Sequence, residues 1–235
     1  MQLEKKVSRC RIRSFVCRNG RITKAQKYAL DYYWPLMGIL YSPQYLDIDK
    51  LFGNIKKKQI VLNIGFGMGF ELIQQALKYP NKYFIGIEVY LPGIGNCLNL
   101  ARKIGLLNIR IICHDAVEVI ETMIPHNSIS ILQLYFPDPW QKRRHNKRRI
   151  VQTNFAHLIL HRLKLNGIFH IATDCINYAK HILNVMNAIS GYKNLSLTKD
   201  YINRPKTRPL TKFEQIGYKK GNQIIDLMFK KIINK

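Results

Sequence analysis

From Ile60 onward, short apolar runs alternate with segments whose apolar residues recur at helical spacing. The apolar runs are bounded by turn residues or acids, as the strands of a buried parallel sheet are. They predict strands over 60–65, 83–88, 109–113, 130–136 and 168–173. The segments with helical spacing predict helices over 71–79, 96–105, 116–124, 151–163 and 177–189.

The C-terminal region departs from this alternation. Its two apolar runs, 194–199 and 223–232, predict a closing antiparallel pair. Strands that alternate with helices form βαβ units, whose helices cover both faces of a parallel sheet. The expected fold class is therefore α/β: a Rossmann-like, mostly parallel seven-stranded sheet with helices on both faces and a C-terminal antiparallel strand pair.

The chain before this regular pattern is strongly basic. Residues 1–27 carry nine lysines and arginines against one acid, Glu4, so we expect a mobile basic arm there. A frayed terminus is the alternative. The next residues mix aromatic and turn residues and predict a lead-in layer against the main domain. The predicted division is 1–54, basic arm and lead-in layer, and 55–235, one α/β domain.

The charge of the whole chain indicates a polyanionic partner. Its 235 residues include 38 Lys and Arg against 14 Asp and Glu, a net charge of +24. Self-repulsion of this size is relieved by a polyanion, and a nucleic acid is favoured over an anionic membrane. No apolar run approaches the roughly 20 residues that a membrane span needs, so we expect no membrane association.

The five cysteines are odd in number and have no C-x-x-C spacing, which argues against a disulfide framework and a zinc site. No apolar segment follows the basic N-terminus, so we expect no signal peptide. These features predict a cytoplasmic protein with reduced thiols and no metal.

A glycine-rich loop, GFGMG at 65–69, lies between the first predicted strand and helix. Gly65, Gly67 and Gly69 allow a ligand to approach the backbone, and the following helix N-terminus favours negative charge. Glu88, at the end of the second strand, can accept hydrogen bonds from ribose hydroxyls. The G-x-G-x-G spacing is typical of S-adenosylmethionine enzymes rather than of dinucleotide sites. Asp115, after the third strand, is an acceptor for the adenine amine, a helix N-cap, or both.

The fourth strand ends in FPDPW, 136–140, where two prolines restrict Asp138 and suit a preorganised carboxylate. Trp140 either stacks on a base or caps the core. The basic run KRRHNKRR, 142–149, follows directly, and phosphate contact is the favoured interpretation over a solvated face. Two later features stay ambiguous: the Pro-rich stretch 204–214 is a connector or a site, and Asp174 is a helix cap or a substrate contact.

Together these segments closely resemble the bacterial tRNA (guanine-N7-)-methyltransferase family. The stretches that carry the resemblance are IGFGMG (64–69), FIGIEVYLPGIGNCL (84–98), DAVEVI (115–120), FPDPWQKRRHNKRRIVQ (136–152), FHIATD (169–174) and RPLTKFEQIGY (208–218). The resemblance implies a class I methyltransferase fold. It also implies methyl transfer from S-adenosyl-L-methionine to N7 of the variable-loop guanine of tRNA, guanosine 46, with no obligate protein partner.

The resemblance also implies roles for individual residues, with Asp138 as the catalytic carboxylate. The cofactor residues would be Asn63, Gly65, Gly67, Gly69, Glu88, Asp115 and Asp138. The substrate residues would be Lys142, Asp174, Thr211, Lys212, Phe213 and Glu214. The RNA-binding residues would be Arg144, His145, Asn146, Lys147, Arg148 and Arg149.

Three positions depart from the family pattern. Asn63 stands where the family usually has an acid, Gln141 where histidine is common, and Cys175 where an aromatic residue is common. An amide at position 63 accepts a hydrogen bond but brings no negative charge to the ammonium of the methyl donor.

Three alternative functions differ from this one in what they require of the sequence. A nicotinamide-dependent oxidoreductase would leave FPDPW and the basic run without a purpose, and its glycine spacing would differ. A non-catalytic RNA-binding protein conflicts with the intact acids Glu88, Asp115 and Asp138. A methyltransferase acting on another RNA has the same motifs and differs only in substrate.

Overall fold

A computed structural model describes residues 13–16, 20–53, 59–198 and 200–233. Its strands belong to a single sheet with the order β1-β4-β3-β2-β5-β6-β8-β7. The strands are β1 Gly38–Ile39, β2 Gln59–Ile64, β3 Lys82–Glu88, β4 Ile109–Cys113, β5 Ile129–Tyr135, β6 Leu163–Thr173, β7 Tyr192–Asn194 and β8 Ile225–Lys231.

The topology brings the carboxyl ends of the central strands to one edge. Strands β1 to β6 pair in parallel, whereas β8 is antiparallel to both β6 and β7. The chain runs outward from β2 to β4 and then returns to β5 on the other side of β2, so the strand order reverses between β2 and β5. Ligands of open α/β sheets bind at such a reversal. The predicted α/β sheet with its antiparallel C-terminal strands is confirmed.

Helices cover both faces of the sheet. They are α1 Lys24–Tyr32, α2 Trp34–Met37, α3 Ile48–Leu51, α4 Phe70–Lys78, α5 Leu91–Lys103, α6 Ala116–Thr122, α7 Thr153–Arg162, α8 Ile176–Asn187 and α9 Lys212–Lys219. A short 3₁₀ helix spans Arg143–Arg148. None of the helices in the described part of the chain has both the length and the apolar character needed to span a bilayer.

The core has one apolar cluster on each face because side chains alternate along the strands. Leu62 of β2 points into the cluster that contains Tyr178 of α8, whereas its neighbour Val61 points into the cluster that contains Leu72 of α4. The first cluster packs under α6, α7 and α8, and the second under α1, α4 and α5.

The predicted lead-in layer is integrated with the sheet. Strand β1 pairs with β4 and makes the sheet eight-stranded, one strand more than the predicted seven. Helix α1 packs closely on α5: a Cβ added to Gly95 would lie 2.7 Å from the carbonyl oxygen of Gln26. Most of the predicted arm, residues 1–12 and 17–19, and the predicted boundary near 54, lie outside the described residues.

Two predicted elements are shifted. The strand expected over 194–199 lies earlier, at Tyr192–Asn194, because the side chain of Asn194 accepts from the backbone N–H of Ser196 at 2.9 Å and turns the chain. Strand β6 begins at Leu163, which pairs with Ile129, so it starts where the preceding helix was expected to end.

Candidate active site

The glycine loop, 65–69, follows β2 with all three glycines in the left-handed region. Their φ angles are +72° at Gly65, +56° at Gly67 and +81° at Gly69. Residues that carry a Cβ rarely adopt such angles. A Cβ at Gly65 or Gly67 would meet no atom within 4 Å, whereas one at Gly69 would lie 2.5 Å from the Cβ of Cys97. The loop therefore packs on α5, while the Cα atoms of Gly65 and Gly67 face open space.

Glu88, at the end of β3, is bound to this loop. One carboxylate oxygen accepts from the backbone N–H of Gly67 at 2.8 Å. The other accepts from the N–H groups of Val89 at 2.7 Å and Tyr90 at 3.0 Å. A carboxylate has about four acceptor positions, so three backbone donors orient Glu88 and leave room for a further donor.

Asn63, 4% exposed on β2, belongs to a chain of three buried amides. Its Nδ2 donates to Oε1 of Gln133 on β5 at 3.0 Å, and Nε2 of Gln75 on α4 donates to the same oxygen at 3.2 Å. Nε2 of Gln133 donates back to Oε1 of Gln75 at 2.7 Å. An amide at position 63 fits this environment. A carboxylate there would require Gln133 and Gln75 to exchange their donor and acceptor atoms.

Asp115 follows β4 and is the N-cap of α6. Its side chain accepts from the N–H of Val117 at 2.9 Å, so the N-cap interpretation is confirmed. It also lines a shallow cavity of about 130 Å³ together with Lys147 and Arg148. The fold thus brings an acid at the end of β4 close to the basic run that follows β5.

The Pro-Asp-Pro loop, 136–140, carries Asp138 from the end of β5. Phe136 and Trp140 have φ angles of +52° and +46°, uncommon for large side chains. Such conformations cost about 1–3 kcal/mol each and persist where surrounding contacts impose them. Here the N–H of Phe136 donates to the carbonyl of Ala172 at 2.8 Å, and Nε1 of Trp140 donates to the carbonyl of Ser14 at 3.0 Å. The loop is therefore held at both ends.

Arg149 supports the same loop from inside the protein, between Pro139 and Tyr178. It is only 6% exposed, its Nε donates to the carbonyl of Pro139 at 2.9 Å, and its guanidinium lies 5.0 Å from the centre of the Tyr178 ring. Burial raises the pKa of Tyr178, and the charge of nearby Asp138 acts in the same direction. The predicted RNA contact of Arg149 does not fit this buried position, because its guanidinium faces the protein.

The other lysines and arginines of the basic run face outward. Lys142, Arg144, Lys147 and Arg148 are exposed, and Arg148 also lies 4.9 Å from the centre of the Trp140 ring. Trp140 is thus anchored by Ser14 and covered by a cation. His145 is partly buried, and its desolvation and the surrounding cations lower its pKa, which favours the neutral imidazole. Asn146 is also partly buried, and its backbone carbonyl accepts from Gln152.

The predicted substrate segment 211–214 forms the start of α9. Thr211 is the N-cap and forms a capping box with Glu214. The backbone N–H of Lys212 donates to Glu71 on α4 at 3.2 Å, and the ring of Phe213, 61% exposed, lies 6.4 Å from that of Phe136. The helix start thus bridges the glycine-loop side and the β5 side of the crevice.

Two of the predicted substrate residues have different surroundings. Glu214 is fully buried and paired with Arg204 and Arg208. Burial alone would raise the pKa of Glu214, but hydrogen bonds and charge from Arg208 lower it overall. The Glu214 carboxylate is therefore ionised and directed into the protein. Asp174 is exposed after β6, does not cap α8, and accepts from Nδ2 of Asn222 at 3.2 Å.

Sequence reasoning missed the polar residues behind these groups, namely Gln75, Gln133, Arg208 and Asp226. A signal existed for Asp226 and Gln133, because each is a polar residue inside an otherwise apolar strand. Within the described ranges, no cluster of three or more histidines, cysteines or acids could hold a metal ion.

Comparisons with known proteins identify the family of this chain. A family model described as a putative methyltransferase matches residues 57–227. The chain is 54% identical over 222 residues to tRNA (guanine-N(7)-)-methyltransferases of Salmonella typhimurium and Escherichia coli, covering 94% of this chain and 92% of each relative. Among solved structures, the 16S rRNA methyltransferase KamB is similar in fold, with a TM-score of 0.59 at 13% identity over 81% of this chain and 95% of that one. With its match extending over nearly the whole chain, the protein belongs to the bacterial tRNA (guanine-N7-)-methyltransferase family.

Proposed function

We propose that this protein transfers a methyl group from S-adenosyl-L-methionine to N7 of guanosine 46 in the variable loop of tRNA. The 54% identity to named tRNA (guanine-N(7)-)-methyltransferases over 94% of the chain carries this proposal. The position of the glycine loop and the Pro-Asp-Pro loop after the adjacent strands β2 and β5 supports it. Action on tRNA places the enzyme in the cytoplasm.

The residues around the glycine loop fit the methyl donor. The open space beside Gly65 and Gly67 admits a ligand against the backbone, and the remaining acceptor position of Glu88 suits a ribose hydroxyl. Asp115 would accept from the adenine amine, and Asn63 would contact the methionine end. When bound, S-adenosylmethionine supplies an electrophilic methyl group on a sulfonium centre.

Asp138 acts on the guanine by electrostatics rather than by removing a proton. N7 of guanine already carries an in-plane lone pair, so no base is needed before attack. The purine gains positive charge as the new bond forms. A carboxylate that accepts from guanine N1–H or the exocyclic amine therefore binds the transition state more tightly than the ground state. The clamped loop keeps Asp138 in place for this contact.

The exposed part of the basic run binds the tRNA backbone. Lys142, Arg144, Lys147 and Arg148 lie just beyond the Pro-Asp-Pro loop, so phosphates held there would bring a base to Asp138. The ring of Phe136 in this loop and the ring of Phe213 lie at 24° to each other, which suits contact with a flat base.

The proposed function is tested by locating the methyl group. Purified protein is incubated with unmodified tRNA transcripts and labelled donor, and 7-methylguanosine is mapped by chemical cleavage. We expect modification at guanosine 46 and none in a transcript that carries adenosine there. Modification at another guanine, or of another RNA class, would replace the proposed substrate, and absence of label in every RNA would contradict the activity.

Asn63 gives a prediction about donor affinity. A charge-assisted hydrogen bond is about twice as strong as a neutral one, so Asn63→Glu should tighten donor binding by roughly 5-fold, or ~1 kcal/mol. Asn63→Gln adds the same methylene without charge and is the matched control. Calorimetric titration of both variants with S-adenosylmethionine separates charge from size. Equal or weaker binding by the Glu variant would mean that the amide chain with Gln133 already compensates for the missing acid.

A further inference from the structure

The side chain of Arg208 is fully buried between two carboxylates. Its Nη1 and Nη2 donate to the two oxygens of Glu214 at 2.7 and 2.8 Å, and Nη2 also donates to Oδ2 of Asp226 at 2.9 Å. Nε lies 2.8 Å from Oδ1 of Asp226 but lacks hydrogen-bond geometry. A planar guanidinium can bridge two acids in this way, which a lysine cannot do.

The charges around Arg208 are balanced. Arg204 donates to Oε1 of Glu214 at 2.8 Å, so two arginines face two acids. His170 contacts Oδ1 of Asp226 through Nε2 at 2.7 Å. Burial lowers the pKa of His170 and outweighs the opposing effect of Asp226, so the imidazole adds no charge. A buried cluster of this kind defines a geometry rather than adding much stability.

The Arg208 cluster, formed by Arg204, Arg208, Glu214, Asp226, His170 and Tyr135, joins three parts of the fold. Glu214 belongs to the capping box that begins α9, and Asp226 lies in β8 opposite Ala172 of β6. The hydroxyl of Tyr135, the last residue of β5, lies 3.1 Å from Nδ1 of His170. Tyr135 directly precedes the Pro-Asp-Pro loop. The cluster therefore links the start of α9 to the base of the loop that carries Asp138.

On this basis we propose that Arg208 is a positioning residue that holds the start of α9 in place for tRNA, by tying Glu214 to Asp226. The inference rests on the proposed function. The side chain of Arg208 has no exposed surface and acts through Lys212 and Phe213, the exposed residues whose backbone and ring contact Glu71 and Phe136. Arg204 also pairs with Glu214, but Arg208 is the residue of the described cluster that contacts Glu214 and Asp226 directly.

The position of the cluster predicts which kinetic quantity changes. Phe213 borders the side of the crevice that faces the Pro-Asp-Pro loop, and Lys212 reaches the other side only at Glu71 of α4. The contacts between the glycine loop and Glu88 involve neither α9 nor Arg208. Loss of the Arg208 link should therefore impair the use of tRNA while donor binding stays intact.

The test uses Arg208→Lys, which keeps the charge but loses the fork, and Asp226→Asn, which weakens the other end of the link. Misplacement of a substrate-positioning segment by about 1 Å costs up to ~100-fold, so we expect kcat/KM for tRNA to fall by about 10-fold to 100-fold in both. The Kd for S-adenosylmethionine, measured by calorimetry, should change by less than about 2-fold. In the double variant, kcat/KM for tRNA should be little lower than in either single variant, because both substitutions break the same link between Glu214 and Asp226.

Hydrogen exchange separates positioning from general destabilisation. Backbone amides of residues 211–216 should exchange about 10-fold faster in Arg208→Lys, while those of β2 and β5 stay protected. Faster exchange throughout the sheet, or wild-type kcat/KM for tRNA with unchanged exchange in α9, would overturn the proposal. Exchange and donor binding are independent of methylation, so failure of the proposed function would be recognised separately, by lack of tRNA methylation in the wild-type enzyme.

Discussion

Replacement of Asp138 by Asn is expected to lower the single-turnover rate of tRNA methylation by at least about 100-fold, the ~3 kcal/mol effect of one preorganised electrostatic contact. The amide has nearly the same shape as the carboxylate, so the Pro-Asp-Pro loop should keep its conformation. What is lost is the negative charge that opposes the positive charge developing on the guanine.

The contacts of the loop make this prediction specific. Phe136 and Trp140 are held in left-handed conformations, and Arg149 supports the carbonyl of Pro139. The carboxylate therefore needs little reorganisation free energy when the transition state forms. This is the condition for a large electrostatic effect. Donor and tRNA binding should change far less than the rate of the chemical step.

The measurement is a rapid-quench assay with donor and tRNA both saturating. Asp31→Asn, on the exposed surface of α1, is the matched control and should react at the wild-type rate. If Asp138→Asn methylates tRNA at nearly the wild-type rate, Asp138 is not the catalytic carboxylate, and the loop serves only to shape the crevice.

The second large effect concerns the exposed basic run. Replacing Arg144, Lys147 and Arg148 by Gln should weaken tRNA binding by about 100-fold near physiological salt and reduce the slope of log K against log salt by roughly 0.7 to 0.9 per lost phosphate contact. The reason is that these side chains face solvent and, when they bind phosphates, displace the counterions condensed on the tRNA. Donor affinity should hardly change.

Arg149→Gln is the comparison that the structure supplies. Because its guanidinium is buried against Tyr178 and Pro139, its loss should leave the salt slope unchanged and instead slow the chemical step through the loop. Filter binding of tRNA across a salt series, with calorimetry for the donor, measures both. If the triple variant loses donor affinity but retains tRNA affinity, the basic run belongs to the cofactor pocket. A lower salt slope in Arg149→Gln would mean that Arg149 contacts a tRNA phosphate.

Much of the fold could be predicted because buried apolar residues recur at regular spacing within each short segment of the chain. The alternation of apolar runs with helical spacing identified the five central parallel strands, and their order along the chain implied that their carboxyl ends meet at one edge. The glycine loop and FPDPW were recognisable for the same reason, since each is contiguous and needs its own backbone conformation. Strand β1 was missed, because two residues carry no periodicity and owe their conformation to pairing with β4.

The candidate site divides in the same way. The sequence alone determined the α/β sheet, the position of the glycine loop, and the presence of Glu88, Asp115 and Asp138 after successive strands. Only the tertiary structure decided which neighbours share a role: Arg148 is exposed, whereas Arg149, the next residue, is buried under Pro139.

The family resemblance implies a substrate contact for Glu214, whereas the fold pairs it with Arg208 and ties it to Asp226, twelve residues further on. Asn63 likewise finds its partner in Gln133, 70 residues away. The physical reason is that a backbone conformation depends on neighbours in sequence. The burial, charge state and hydrogen bonds of a polar side chain depend on groups that only the folded chain brings within 3 Å.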